Sequence, residues 1–130
     1  MATNTMSAPM TVKQIASRLV ELCRQGNYEQ AQQELFSNDA ESIEPEKAKA
    51  GGWDTHVKGM DKIKEKAGRW QQMVEAFHGG SVTDPIIAGN FIAVGMMMDV
   101  TIKGMPRNKM EEICLYEVKD GKIVREEFFF

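Results

Sequence analysis

Glu44 ends a short run, Ala40-Glu41-Ser42-Ile43-Glu44, and stands directly before Pro45. A strand end of this kind can deliver a carboxylate into an apolar cavity. Burial there disfavours the charged form and raises the pKa toward the range of a useful general base. Glu126 is the second candidate. It lies among aromatic residues near the end of the chain, before Phe128, Phe129 and Phe130. If the even-numbered side chains of that segment face inward, Glu126 shares a surface with Tyr116, Cys114, Glu112, Phe128 and Phe130. A carboxylate buried there must be protonated, paired or hydrated. In its protonated form it could donate a hydrogen bond, with Tyr116 as a further polar partner. The other orientation turns Glu126 outward and Glu127 inward. Several carboxylates around one cavity cannot all ionise cheaply, so Glu44, Glu112 and Glu126 should titrate as a coupled set.

Other residues could shape a ligand site. Met96-Met97-Met98 alternates across a strand, so Met96 and Met98 share a face, and methionine adapts to irregular ligands. Ordinary core filling is the plainer reading of these methionines and of Trp70. Trp53 and His56 are embedded in a charged, Gly-rich segment, 46–58, with the length of a functional lid. His56 and His78 lack metal-ligand spacing and no His/Cys cluster exists, so neither a metal nor a cofactor is expected. Phosphate-binding Gly-rich loops and the nucleophile elbow are missing from the sequence.

The elements that must position these groups follow from periodicity. Val12, Ile15, Ala16, Leu19, Val20 and Cys23 repeat at helical spacing until Gly26-Asn27. Tyr28, Ala31 and Leu35 mark a second helix, with a turn at Asn38-Asp39 and a short strand over 40–45. A long helix starts at Gly59 and Asp61. Its apolar stripe is Met60, Ile63, Ala67, Trp70, Met73, Val74 and Phe77, with Lys62, Lys64 and Lys66 toward water and His78-Gly79-Gly80 as the stop. The remainder reads as strands: 82–88, a turn at Gly89-Asn90, 91–103, a loop around Gly104-Met105-Pro106-Arg107, 110–118 and 122–130. Helices followed by a meander imply an α+β fold with helices on one face of a curved sheet. Lys119-Asp120-Gly121 suits a three-residue bulged hairpin loop. That places Val118 opposite Lys122, Cys114 opposite Glu126 and Glu112 opposite Phe128. A two-residue turn would slip this register by one. The odd-numbered set, Ile113, Leu115, Ile123 and Phe129, would form the other face and meet a second subunit.

At 130 residues the chain suits one domain over 12–130, after a disordered tail over 1–11. A net charge of -3 provides no basic footprint for nucleic acid. The first residues lack a cationic start and an apolar run, and no later stretch has membrane-span length, so neither secretion nor membrane insertion is expected. Cys23 and Cys114 have no motif spacing and read as reduced thiols in a cytoplasmic protein.

Several short motifs occur together. They are Leu35-Phe36-x-x-Asp39-Ala40-x-x-Ile43-Glu44-Pro45, Gly59-x-x-x-Ile63, Gly89-Asn90-Phe91 and Asp120-Gly121-Lys122-Ile123. In this order and spacing the chain resembles the nuclear transport factor two-like superfamily, in particular its SnoaL-like and ketosteroid-isomerase-like members, over roughly 12–130. The resemblance implies a cystatin-like cone, with a curved antiparallel sheet wrapped around a long helix. It also implies one deep apolar pocket and a homodimer through the outer sheet face. Glu44 falls where ketosteroid isomerases carry their general base. Leu19 falls where they carry an oxyanion-hole tyrosine, and Cys114 about where they carry its aspartic acid partner. Both donors are absent, which argues against a true ketosteroid isomerase. Phe130 matches a family aromatic on the last strand, and Met96, Met98, Val100 and Ile102 match pocket-facing positions. The resemblance implies binding of a small hydrophobic molecule, with carboxylate-mediated proton transfer of an isomerase, cyclase or dehydratase type and no cofactor. The alternative is a non-catalytic ligand-binding or protein-interaction module with a vestigial pocket.

Overall fold

The structure is a computed structural model and describes residues 8–130. The first seven residues of the expected tail lie outside the described residues. In the rest of that tail, Pro9 packs on Gly121, where an added β-carbon would come within 2.5 Å of that of Pro9. Helix α1 spans Val12–Arg24. Thr11 and Gln14 close a capping box at its start: the Thr11 hydroxyl accepts from the Gln14 amide at 3.1 Å, and Gln14 Oε1 accepts from the Thr11 amide at 2.9 Å. Its apolar stripe buries Ile15, Ala16, Leu19, Val20, Leu22 and Cys23. Each large side chain so buried contributes roughly 1.5–3 kcal/mol against exposure, which makes α1 the main anchor of the core. Helix α2, Tyr28–Leu35, is tied back to α1 by the Arg18 fork, which donates to both Glu34 carboxylate oxygens at 2.8 Å.

Strand β1, Phe36–Ile43, follows α2 without a gap. Asn38 and Asp39 do not turn the chain; they lie in an irregular stretch of β1 where its register with the last strand shifts between Phe36 and Glu41. A short 3-10 helix, Glu46–Gly51, and strand β2, His56–Lys58, occupy the segment expected to be an open loop. Helix α3 spans Met60–Met73 and passes directly into strand β3, Val74–Val82. The helix is therefore shorter than its apolar pattern predicts. Val74 and Phe77 belong to a strand, and His78-Gly79-Gly80 is no helix stop. Gly80 instead lets the Met97 carbonyl approach, since a β-carbon there would lie 2.6 Å from that oxygen. Strands β4 (Ile86–Ala88), β5 (Phe91–Ile102), β6 (Asn108–Lys119) and β7 (Lys122–Phe129) complete the chain.

The seven strands form one sheet in the order β2-β1-β7-β6-β5-β3, with β4 paired to the first part of β5. All pairs are antiparallel except β1 with β7, which is parallel, so the sheet is mixed rather than wholly antiparallel. The α+β class and the helices on one side of the sheet are as the sequence predicts.

The last hairpin differs in register. Asp120 and Gly121 both have positive φ, 52° and 76°, and make a tight two-residue turn. Lys119 then opposes Lys122, and Val118 opposes Ile123. A bulge after Glu117 restores the parity, so Tyr116 opposes Glu126 and Cys114 opposes Phe128. The partners expected from a three-residue loop are each off, yet the even-numbered side chains still share the inner face. Ile123, expected on the outer face, precedes the restoring shift and is fully buried.

Candidate active site

A cavity of about 450 Å³ lies between the three helices and the inner face of β5, β6 and β7. Leu19 of α1, Ala31 of α2, Ile63 and Trp70 of α3, and Met96 and Met98 of β5 form apolar walls. Glu44, Lys66, Glu112, Tyr116 and Glu126 bring polar groups into it. Phe128, Phe130 and Trp53 also line it. Two expected residues do not. His56 sits on β2 at the sheet edge with an exposed side chain, and its Nε2 is 2.7 Å from Glu41. Cys114 is fully buried behind the wall, with its thiol 3.7 Å from Glu112 Oε1. Val100 of β5 is buried, and it and Ile102 lie outside the cavity lining.

Lys66 points inward. It was expected to face water, but its side chain is only 12% exposed. Its ammonium pairs with Glu44 Oε2 at 2.8 Å and donates to the Ser42 hydroxyl. Ser42, fully buried, donates in turn to Glu126 Oε2 at 2.6 Å. The result is a continuous polar chain, Glu44–Lys66–Ser42–Glu126, drawn from the end of β1, from α3, from β1 and from β7. The signal was present in the sequence: position 66 is three residues after Ile63 and four before Trp70, so one helix face carries all three. Lys66 also lies 5.2 Å from the centre of the Phe128 ring, a cation–π position.

The electrostatics follow from burial. Glu126 is pushed up to about 7, chiefly by desolvation; the Ser42 hydrogen bond and the Lys66 charge oppose this, and the Glu44 charge adds to it. Glu112 is also pushed up to about 7, first by burial and then by the charge of Glu44. Two carboxylates thus exchange protons near neutral pH, which suits general acid–base work. Burial and the neighbouring carboxylates hold the Tyr116 hydroxyl well above its usual range, so it remains a neutral donor. Cys23 is raised to about 12 and Cys114 further still, mainly by burial, so both thiols are inert.

The proposed lid is pinned rather than open. The Arg69 guanidinium lies 4.9 Å from the centre of the Trp53 ring, and Arg69 donates to the Gly52 carbonyl at 3.1 Å. The Trp53 amide donates to the Ala48 carbonyl at 3.2 Å, and Lys47 lies 5.2 Å from the centre of the Phe130 ring. Trp53 forms part of the cavity wall from this tethered position. Among the described residues, no group of three or more His, Cys, Asp and Glu side chains is placed to hold a metal ion, and no helix is long and apolar enough to cross a membrane.

Comparison with known proteins places the chain in a family. A SnoaL-like domain model matches residues 10–130. A candidate SnoaL-like polyketide cyclase from Mesorhizobium loti, whose name also carries carbohydrate phosphatase, is 34% identical; the match covers 93% of this chain and 100% of that one, with a TM-score of 0.85. Two more distant structures share the fold. TerC, crystallised with polyporic acid, is 18% identical over 92% of this chain and 90% of its own, with a TM-score of 0.75. A protein of ketosteroid-isomerase-like fold from Catenulispora acidiphila, in complex with trimethylamine, is 19% identical over 92% and 87%, with a TM-score of 0.69. No curated protein sequence matches the chain. The matched domain model and the Mesorhizobium relative both span nearly the whole chain, and the chain belongs to the SnoaL-like family.

Proposed function

We propose that the chain binds a small, mostly apolar molecule in this cavity and moves a proton on it without a cofactor. The observation that carries this reading is the Lys66–Ser42–Glu126 connection inside an apolar cavity. Glu126 would take a proton from carbon next to a carbonyl. Lys66, held by Glu44, would stabilise the negative charge that develops on oxygen. The roles expected from sequence are thereby exchanged: Glu44 positions the lysine, and the buried Glu126 does the proton transfer, with Tyr116 as a neutral donor nearby. Lys66 supplies an electrophile where Leu19 and Cys114 cannot. The reaction class is isomerisation, cyclisation or dehydration through an enol. The fold neighbours' ligands, polyporic acid and trimethylamine, are too different to name a substrate.

A second reading is a binder without chemistry. It draws support from the way Glu44, Lys66, Ser42 and Glu126 satisfy one another internally. Exchange of the α-protons of 2-tetralone in D₂O, followed by NMR, separates the two. Acceleration by the protein, reduced ~10²–10⁴-fold in Glu126→Gln, is the expected share of a general base. No acceleration, or an unchanged rate in Glu126→Gln, would leave the binder as the better account. A cytoplasmic location fits the two free thiols, and a homodimer through the outer sheet face fits its exposed apolar residues. Residues 12–130 would act as one domain.

A further inference from the structure

The cavity holds more negative charge than it neutralises. Among the described residues Glu44, Glu112 and Glu126 line it with Lys66 as the one cation, so their full ionisation leaves three negative charges against one positive, a net of -2. Lys66 is already committed to Glu44 and Ser42. Ser42 commits its proton to Glu126. Glu112 is different. Among the described residues its carboxylate has one partner, the weak thiol donor of Cys114 at 3.7 Å, and no Lys, Arg or His lies within ion-pair distance. Its strand neighbour across the sheet is Met96, and Met98, Met110 and Phe130 line the same cavity.

We infer that the cavity selects a hydrophobic ligand carrying a protonated amine, whose ammonium group pairs with Glu112. This rests on the reading of the cavity as a ligand site and adds the chemical class of the ligand. An anionic ligand would add repulsion to Glu44, Glu112 and Glu126. A neutral one would leave Glu112 desolvated with its thiol contact alone. An ammonium group gives Glu112 a charge-assisted hydrogen bond and lets it ionise. The aromatic walls attract a cation and do not repel it, as Lys66 over Phe128 and Lys47 over Phe130 already show. The remaining groups that act on Glu112 are Glu44, Lys66 from α3, Glu126 from β7, Cys114 and Tyr116 on its own strand and Tyr28 from α2.

The test compares 1-naphthylmethylamine, 1-naphthylmethanol and 1-naphthoate by isothermal titration calorimetry at pH 6 and pH 8. The amine should bind at least ~10-fold tighter than the alcohol at pH 8, which corresponds to one charge-assisted hydrogen bond of ~1.4 kcal/mol. Its advantage should shrink at pH 6, where Glu112, which titrates near 7, is mostly protonated. Near pH 7 its binding should release about half a proton, read from titrations in buffers of different ionisation enthalpy. The ratio of amine to alcohol affinity should fall to near one in Glu112→Gln. Equal affinity for amine and alcohol in the wild type, tighter binding of the naphthoate, or an unchanged ratio in Glu112→Gln overturns the inference while leaving the site itself in place. Failure of all three probes to bind at millimolar concentration overturns both the inference and the ligand site.

Discussion

Glu126 holds its proton more tightly in the folded chain than in the unfolded one, because folding removes it from water. Its folded pKa is about 7 against an ordinary 4.5. Between those values the native state binds more protons than the unfolded state, so stability falls as pH rises from about 4.5 to about 7 and levels off above. Glu112 acts in the same direction over the same window. Thermal unfolding from pH 4.5 to pH 8 should therefore show a descending midpoint, and Glu126→Gln should flatten it. A midpoint that climbs through this window in the wild type would contradict the burial argument. Glu44 is linked to both groups through its charge. Glu44→Gln should lower the titration midpoints of Glu112 and Glu126, visible in carbon-13 carboxyl NMR. Midpoints that stay in place would show that the Glu44 charge is screened from them. At this scale the sequence was informative about which acids face inward: Glu44, Glu112 and Glu126 all line the cavity. It was silent on Ser42 and misleading on Lys66. A serine on a strand carries no signal of burial, and the charge of Lys66 outweighs its place on the face of Ile63 and Trp70 unless its pairing in three dimensions is known.

Elements were legible where one period dominated. Helix α1 carries a clean stripe and a capping box, and its expected and observed spans agree. The end of α3 was not legible, because Val74 and Phe77 continue a three-residue spacing by coincidence. In β3 that spacing reflects register shifts between Val74 and Ala76 and between Phe77 and Gly79. The hairpin at Asp120-Gly121 shows the same limit. Its residue types allow more than one turn, and the bulge after Glu117 that restores the face depends on partners across the sheet. This turn supports a specific expectation. Gly121 has φ of 76°, and a β-carbon there would also collide with Pro9 at 2.5 Å. Gly121→Ala should destabilise the fold by ~1 kcal/mol or more, read as a lower denaturant midpoint at unchanged slope. Gly26→Ala shares the positive φ but meets nothing within 4 Å, so it should cost less. Equal losses would mean that the packing of Pro9 on the hairpin contributes nothing.

For the whole molecule, the two faces of one sheet have different fates. The inner face of β5 and β6 buries Ile92, Val94, Met96, Cys114, Tyr116 and Val118 against the helices. The outer face leaves Ile113 55% exposed and Phe129 46% exposed, and these two are directly opposed across β6 and β7. Leu115 and Ala93 form the next row, with Ile86 beside Ala93 and 72% exposed. Singly exposed apolar residues are normal, but rows of them on adjacent strands make a continuous patch of the kind that partners cover. Charge flanks this patch on β7: Glu127, directly opposite Leu115, pairs with Arg125 at 3.1 Å, and the pair makes a polar rim. A second copy of the chain related by a two-fold axis would cover the patch with itself and keep that polar rim wet. Ile113→Lys should place a charge at the centre of such an interface without touching the core. Sedimentation equilibrium at micromolar concentration should then shift from dimer to monomer while far-UV circular dichroism, reporting the fold, stays unchanged. A wild type that sediments as a monomer at that concentration removes the dimer from the account. An Ile113→Lys protein that stays dimeric would move the interface to another surface.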